Sequence, residues 1–216
     1  MPTVVLVRHG RTTANAAGIL AGRTPDVTLD EVGAKAAKTL ADHLRTVELV
    51  AVVSSPLMRC VDSARMIAGT ANDVIVDDRL TECDYGEWTG RRLVELRHEK
   101  LWRVIQDRPS EVTFPGGESL RAVQTRAVAA IREHDARLGQ DLGPAAMWAA
   151  VSHADVIKAV VADALGMHLD HFQRLVIDPS SISIVTFAKS YPITVCVNSP
   201  ADRGFVLPEI PDRRFV

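Results

Sequence analysis

The sequence predicts an α/β fold, a three-layer sandwich with a mostly parallel central sheet flanked by helices. Short apolar, β-branched runs such as Val4-Val5-Leu6-Val7 alternate with longer amphipathic stretches along the chain. These runs are apolar at nearly every position, as strands covered on both faces are. With 216 residues and 47% apolar content the chain can bury a sizeable core, so one domain over 1–216 is expected.

The elements follow in order. Val4 to Val7 is the first strand. Leu29 to Leu44 reads as a helix, with Thr28 and Glu31 as a capping box and Val32, Ala36, Leu40 and Leu44 at helical spacing. Leu49 to Val53 is the second strand. Ser55 is expected to cap the next helix, with Pro56 in its first turn and an end near Gly69. Val74 to Val76 makes a short strand. Arg91 to Gln106 reads as a helix bounded by Pro109, and Glu118 to Leu138 as a longer one after Pro115-Gly116-Gly117. Met147 to Val151 is another buried strand, followed by a helix from Asp155, its expected cap, to Leu165. Ser183 to Phe187 and Ile193 to Val197 are late strands expected to pair. The tail from Ser199 holds three prolines and is expected to lie extended over the surface.

Composition excludes several classes of partner. A net charge of −2 carries none of the basic excess of a nucleic-acid or membrane-surface binder. No run is long and apolar enough for a transmembrane helix. Met1-Pro2-Thr3 puts no basic region before the apolar run, and Arg8-His9 interrupts it, so no signal peptide is read. Cys60, Cys83 and Cys196 are odd in number and widely spaced, which predicts reduced thiols in the cytoplasm. No Cys-x-x-Cys pair is present, and His168 with His171 reads as a helix start at the surface. Neither a metal nor a cofactor is expected.

In open α/β sheets, ligands bind beyond the carboxyl ends of the strands. Arg8-His9-Gly10, Ser54-Ser55-Pro56 and Ser152-His153 all fall there. A histidine held at a strand end is a nucleophile if one ring nitrogen is tied to an acceptor and the other is unprotonated. Gly10 would let the backbone turn beside it. Arg59, one turn into the helix after Pro56, can point back toward a helix N-terminus, where anions are favoured. Its guanidinium matches phosphate oxygens. A carboxylic acid nearby could protonate a leaving alkoxide, and Asp78, Glu82, Asp84 and Glu87 are all candidates. His153 could donate a hydrogen bond to the same phosphate. Taken singly, each has a blander reading: His9 a surface histidine, Arg59 a helix-surface arginine, the acids solvated loop residues, His153 a satisfied core histidine.

In combination these residues resemble the phosphoglycerate mutase-like branch of the histidine phosphatase superfamily, from Val4 to about Phe187. The likeness rests on Arg8-His9-Gly10-Arg11-Thr12 with Asn15, then Gly22, Leu29 and Gly33, and Ser54-Ser55-Pro56-Leu57 with Arg59 and Ala64. Leu80, Glu82, Gly86, Trp88 and Gly90 continue it, and Pro115-Gly116-Gly117-Glu118-Ser119 and Val151-Ser152-His153 complete it. The resemblance implies His9 as the residue that becomes a phosphohistidine. It makes Arg8, Arg59 and His153 clamps on the phosphoryl oxygens and selects Glu82 among the acids as proton donor. Thr12, Asn15, Gly22 and Ala154 fall at the pocket by the same resemblance. Arg11 stands where the family more often has an acid. There it is expected to add positive charge near the entrance, favouring a substrate with a second anionic group. Ala154 stands where the family often has glycine.

The superfamily holds phosphatases and mutases. Cofactor-dependent mutases carry a long insertion after the acid-bearing loop, whereas this chain has only Arg91 to Phe114 between Gly90 and Pro115. The expected function is therefore hydrolysis of small phosphomonoesters, with phosphoglycerate mutase as the alternative. The partner is a small phosphorylated metabolite; residues from Arg91 to Phe114, with Arg11 and Arg23, are read as shaping the outer pocket, where arginines favour an anionic one, solvated surface charge being an equally good reading of Arg91 and Arg92. A homodimer is implied by resemblance, and Phe205, Val206, Leu207 and Ile210 would cover either a subunit contact or the domain's own sheet. A bell-shaped, mildly acidic pH profile follows from the opposed needs of Glu82 and His9.

Overall fold

In a computed structural model, which describes residues 2–70, 73–188 and 191–200, six strands form one sheet. They are β1 (Thr3–Arg8), β2 (Ala51–Ser54), β3 (Val74–Val76), β4 (Met147–Ser152), β5 (Ile182–Phe187) and β6 (Pro192–Ser199). Their order is β3-β2-β4-β1-β5-β6. The first four pair in parallel, while β5 runs antiparallel to β1 and β6 antiparallel to β5. The two late strands pair as expected.

Alternation along β1 divides the core into two layers. Val4 and Leu6 pack on one side of the sheet with Trp148, Ile131, Val156 and Val160. Val5 and Val7 pack on the other with Leu40, Leu44, Cys60 and Ala64. The first side is covered by α6 (Leu120–Leu142) and α7 (Ala154–Ala164), the second by α2 (Glu31–Leu44) and α3 (Met58–Ala68). That is the expected three-layer sandwich. Short α1 (Thr13–Ala16), α4 (Leu93–Leu96) and α5 (Lys100–Asp107) sit at the strand ends.

Register brings the site together. Arg8 lies opposite Ser152, and Ser54 opposite Val151. The ladder runs one residue further, with His9 N–H donating to Ser152 O at 3.1 Å and Ser55 N–H to Val151 O at 2.9 Å. His9, Ser55 and His153 thus leave three adjacent strands at one edge.

Several local expectations are corrected. Asp30, not Thr28, caps α2, its carboxylate accepting from Gly33 N–H at 2.7 Å. Thr12 bridges Leu29, and Asp30 N–H donates to Arg11 O, so the helix cannot begin earlier. The buried stripe of α2 is Gly33, Ala37, Leu40, Ala41 and Leu44, which leaves Val32 56% exposed. Ser55 does not cap α3, whose N-cap is Leu57 with no side-chain bond. Asp155 lies inside α7, where His153 holds the cap position. Arg91 to Gln106 is not one helix: α4 and α5 are separated by a turn that aims Trp102 and Ile105 at the same cavity as Leu93. The tail beyond Pro200, with the four apolar residues read as covering a subunit contact or the domain's own sheet, lies outside the described residues.

Candidate active site

A cavity of about 330 Å³ opens at the carboxyl edge of the sheet, lined by Arg8, His9, Thr12, Asn15, Gly22, Arg59, Glu82 and Ala154 among others. His153 lies directly behind it, fully buried, its ring centroid 5.2 Å from that of His9.

His9 is 3% exposed, and its Nδ1 sits 2.7 Å from Gly10 O. A carbonyl can only accept, so Nδ1 carries the proton and Nε2 the lone pair. Burial, then the charges of Arg59 and Arg8, push the His9 pKa down to about 3. The ring is therefore neutral with one nitrogen basic, as a nucleophile must be. Gly10 serves a different purpose from the turn expected of it: a Cβ there would stand 2.6 Å from Gly33 O, and one on Gly33 would stand 1.9 Å from Arg11 O. The pair lets the backbone after β1 lie directly on α2.

Two arginines face this ring. Arg59, 2% exposed, donates to Gly22 O at 2.7 Å and lies 3.3 Å from His153 Nδ1. Arg8 donates to Ile177 O at 2.6 Å, while its buried Nε has no partner among the described residues. Gly22 presents its carbonyl from a backbone at φ +53°, where a Cβ would also meet Thr89 Oγ1 at 2.9 Å. The N-termini of α3 and α7 open at the same edge and add partial positive charge.

His153 is not free, as the sequence reading had it. Guanidinium N–H groups only donate, so Nδ1 accepts from Arg59 and Nε2–H points at Ser55 Oγ, 2.8 Å away. To hold a phosphoryl oxygen as well, the ring must take a second proton or exchange one of these partners. Burial first, then His9 and the arginines, holds its pKa well below the ordinary value.

Glu82 is buried, accepts from Cys83 N–H at 2.9 Å through Oε1, and places Oε2 3.7 Å from His153 Nδ1. Burial and the nearby Asp155 carboxylate raise its pKa to about 7, against the opposing pull of Arg59, Cys83 N–H and Arg8. A carboxyl poised near neutrality can give and retake a proton.

Thr12 and Asn15 line the cavity, but the Thr12 hydroxyl donates to Asn15 Oδ1 and accepts from Asn15 N–H, capping α1. Arg11 is not part of the cavity lining; it pairs with Asp30 at 2.7 Å. Arg91 pairs with Glu99, and neither it nor Arg92 nor Arg23 lines the cavity. Trp102, Ile105 and Phe114, from the segment expected to shape the outer pocket, wall the cavity together with Trp88, while the group Asp155, Lys158 and Gln173 was not foreseen.

A family model described as the histidine phosphatase superfamily, branch 1, matches residues 4–200. The chain belongs to that superfamily. It is 33% identical over 188 residues to phosphoserine phosphatase 1 of Hydrogenobacter thermophilus, covering 86% of each chain. It is 34% identical over 194 residues to a probable phosphoglycerate mutase, GpmB, of Cronobacter sakazakii, covering 88% of this chain and 87% of that one. Among solved structures, Bacillus stearothermophilus YhfR superposes with a TM-score of 0.82 at 25% identity, over 90% of this chain and 96% of that one. Members of the histidine phosphatase superfamily that resemble this chain thus include both phosphatases and mutases. No helix among the described residues is long and apolar enough to cross a membrane.

Proposed function

We propose that this superfamily member is a phosphatase that hydrolyses small phosphomonoesters through a phosphohistidine on His9. The observation that carries the reading is the neutral His9 ring, its proton pinned on Gly10 O, beside Arg8 and Arg59. In the first step the His9 Nε2 lone pair attacks phosphorus and the P–O bond to the alcohol breaks. The Glu82 proton passes to the departing alkoxide. In the second step the Glu82 carboxylate takes a proton from water, whose oxygen attacks phosphorus as the P–N bond breaks. Inorganic phosphate leaves, and both side chains return to their starting forms. Arg8 and Arg59, with His153 once it exchanges a partner, hold the equatorial oxygens; positioning and charge supply most of the catalysis in such transfers. Arg8 and Arg59 provide the positive charge, and the scheme calls on no metal or cofactor.

The mutase alternative rests on relatives such as GpmB. The phosphatase reading is favoured because the segment after Gly90 that reaches the cavity is short, consisting of α4, α5 and the loop to Phe114, a short cover that admits water. The test is phosphate release from a panel of phosphomonoesters without added metal, alongside interconversion of the phosphoglycerates. Release that vanishes in His9→Ala is expected. Interconversion that needs 2,3-bisphosphoglycerate, with little free phosphate, would make the protein a mutase.

A further inference from the structure

We infer that the alcohol part of the substrate is uncharged and largely apolar, of ring or branched-chain size, rather than a glycerate or an amino acid. The inference rests on the phosphatase reading and concerns the apolar wall of the cavity. That wall consists of Trp88, Trp102, Phe114, Leu93 and Ile105. The wall is rigid: Trp88 and Trp102 stack with centroids 6.5 Å apart and planes 17° apart, and Phe114 meets Trp88 edge-on at 5.6 Å. Phe114 also braces Tyr85 at 4.9 Å. Such surfaces recognise apolar groups by area and rings by stacking.

The remaining charges of the cavity are spent on one another. Among the described residues, Lys158 is the only lysine or arginine lining the cavity besides Arg8 and Arg59. It lies 3.1 Å from Gln173 Oε1, 3.8 Å from Asp155 and 5.3 Å above the Phe172 ring. Asp155 also accepts from the Tyr85 hydroxyl at 2.8 Å. Arg11, Arg23 and Arg91, the cations that would serve a second anionic group, pair instead with Asp30, with Glu118 and with Glu99. A substrate carboxylate would have to break the Lys158 group or lie desolvated against indole, and both cost affinity. Gln106 remains as a neutral hydrogen-bonding group for a hydroxyl or carbonyl on the substrate, Gln173 being engaged by Lys158 and Ile105 O.

The test compares 2-phenylethyl phosphate with 3-phosphoglycerate and O-phosphoserine. In all three the leaving group is a primary alkoxide, so intrinsic reactivity does not set the order. We expect kcat/KM for the phenylethyl ester to exceed both others by about tenfold or more, as burial of a ring in an apolar pocket implies. Trp102→Ala should shrink that preference about tenfold, and Trp102→Phe should keep most of it. Equal or better turnover of either charged substrate, or a preference unmoved in Trp102→Ala, would overturn the inference while leaving the phosphatase reading intact. If none of the three releases phosphate in a His9-dependent manner, the phosphatase reading itself fails.

Discussion

At the residue scale, the chemistry depends on keeping His9 neutral and Glu82 protonated near the same pH. The Asp155 carboxylate is the second cause, after burial, of the raised Glu82 pKa. Asp155→Asn removes that like charge, so the Glu82 pKa must fall and the alkaline limb of the kcat/KM profile must move to lower pH. An unmoved or raised limb would remove Glu82 as the acid. Glu82→Gln cannot donate the proton and should lower kcat by ~10²–10⁴ for alkyl esters, the usual worth of a general acid. Single-turnover kinetics would check this, since a poor alkoxide suffers more than a good aryloxide. His9, Arg8, Arg59 and Glu82 were legible in the sequence because short motifs carry them. The parts played by Ser55 and Asp155 were not. Both look like helix caps from a few residues away, yet Ser55 bonds His153 at 98 residues' separation and Asp155 bonds Tyr85 at 70. A local capping pattern cannot register a partner brought in by strand register.

At the element scale, the segment carrying Glu82 has no regular structure and is held from outside. Arg126 on α6 donates to Arg79 O at 2.6 Å, Thr81 O at 2.7 Å and Glu82 O at 3.2 Å. Glu118 grips Arg126 at 2.6 Å and accepts from Asp84 N–H at 2.9 Å. Arg23 adds a bond to Glu82 O at 2.9 Å. Arg126→Met should therefore lower kcat about tenfold or more with a smaller change in KM, since it displaces the acid and leaves the phosphate floor. Arg126→Lys should restore only part, because an ammonium cannot bridge the three carbonyls as a guanidinium fork does. On the opposite side of the site, Gly33→Ala would place a methyl 1.9 Å from Arg11 O. A cost of ~1–3 kcal/mol is expected, read from the urea midpoint. Strands and long helices were legible from apolar runs and periodicity. Helix starts were not, because the Thr12–Leu29 bridge and the turn between α4 and α5 are tertiary choices.

At the scale of the whole molecule, the sheet carries the site and the site costs the fold stability in acid. His9 titrates near 3 in the folded chain, below its ordinary 6.5. The folded state therefore holds fewer protons across that window, and stability falls as pH drops through 6.5 toward 3. His153 acts in the same direction. Glu82, raised from 4.5 to about 7, acts oppositely, adding stability as pH falls from 7 to 4.5. Stability should thus fall between pH 6.5 and 4.5, where Glu82 offsets only one of the two histidines, and fall more steeply below 4.5. His9→Ala should flatten the lower limb, which urea unfolding at stepped pH would read. The layered α/β class was legible because alternating elements leave few ways to bury both sheet faces. The pocket's specificity was not, since arginines near the cavity in sequence proved to be paired elsewhere. The central claim is covalent, so its most direct test is to quench a reacting sample under alkaline conditions and map the phosphoryl group by peptide mass spectrometry. An acid-labile phosphoryl group on the peptide containing His9, appearing and decaying at rates that match turnover, is the predicted result. Turnover with no phosphoenzyme, or with the group on another residue, would contradict it.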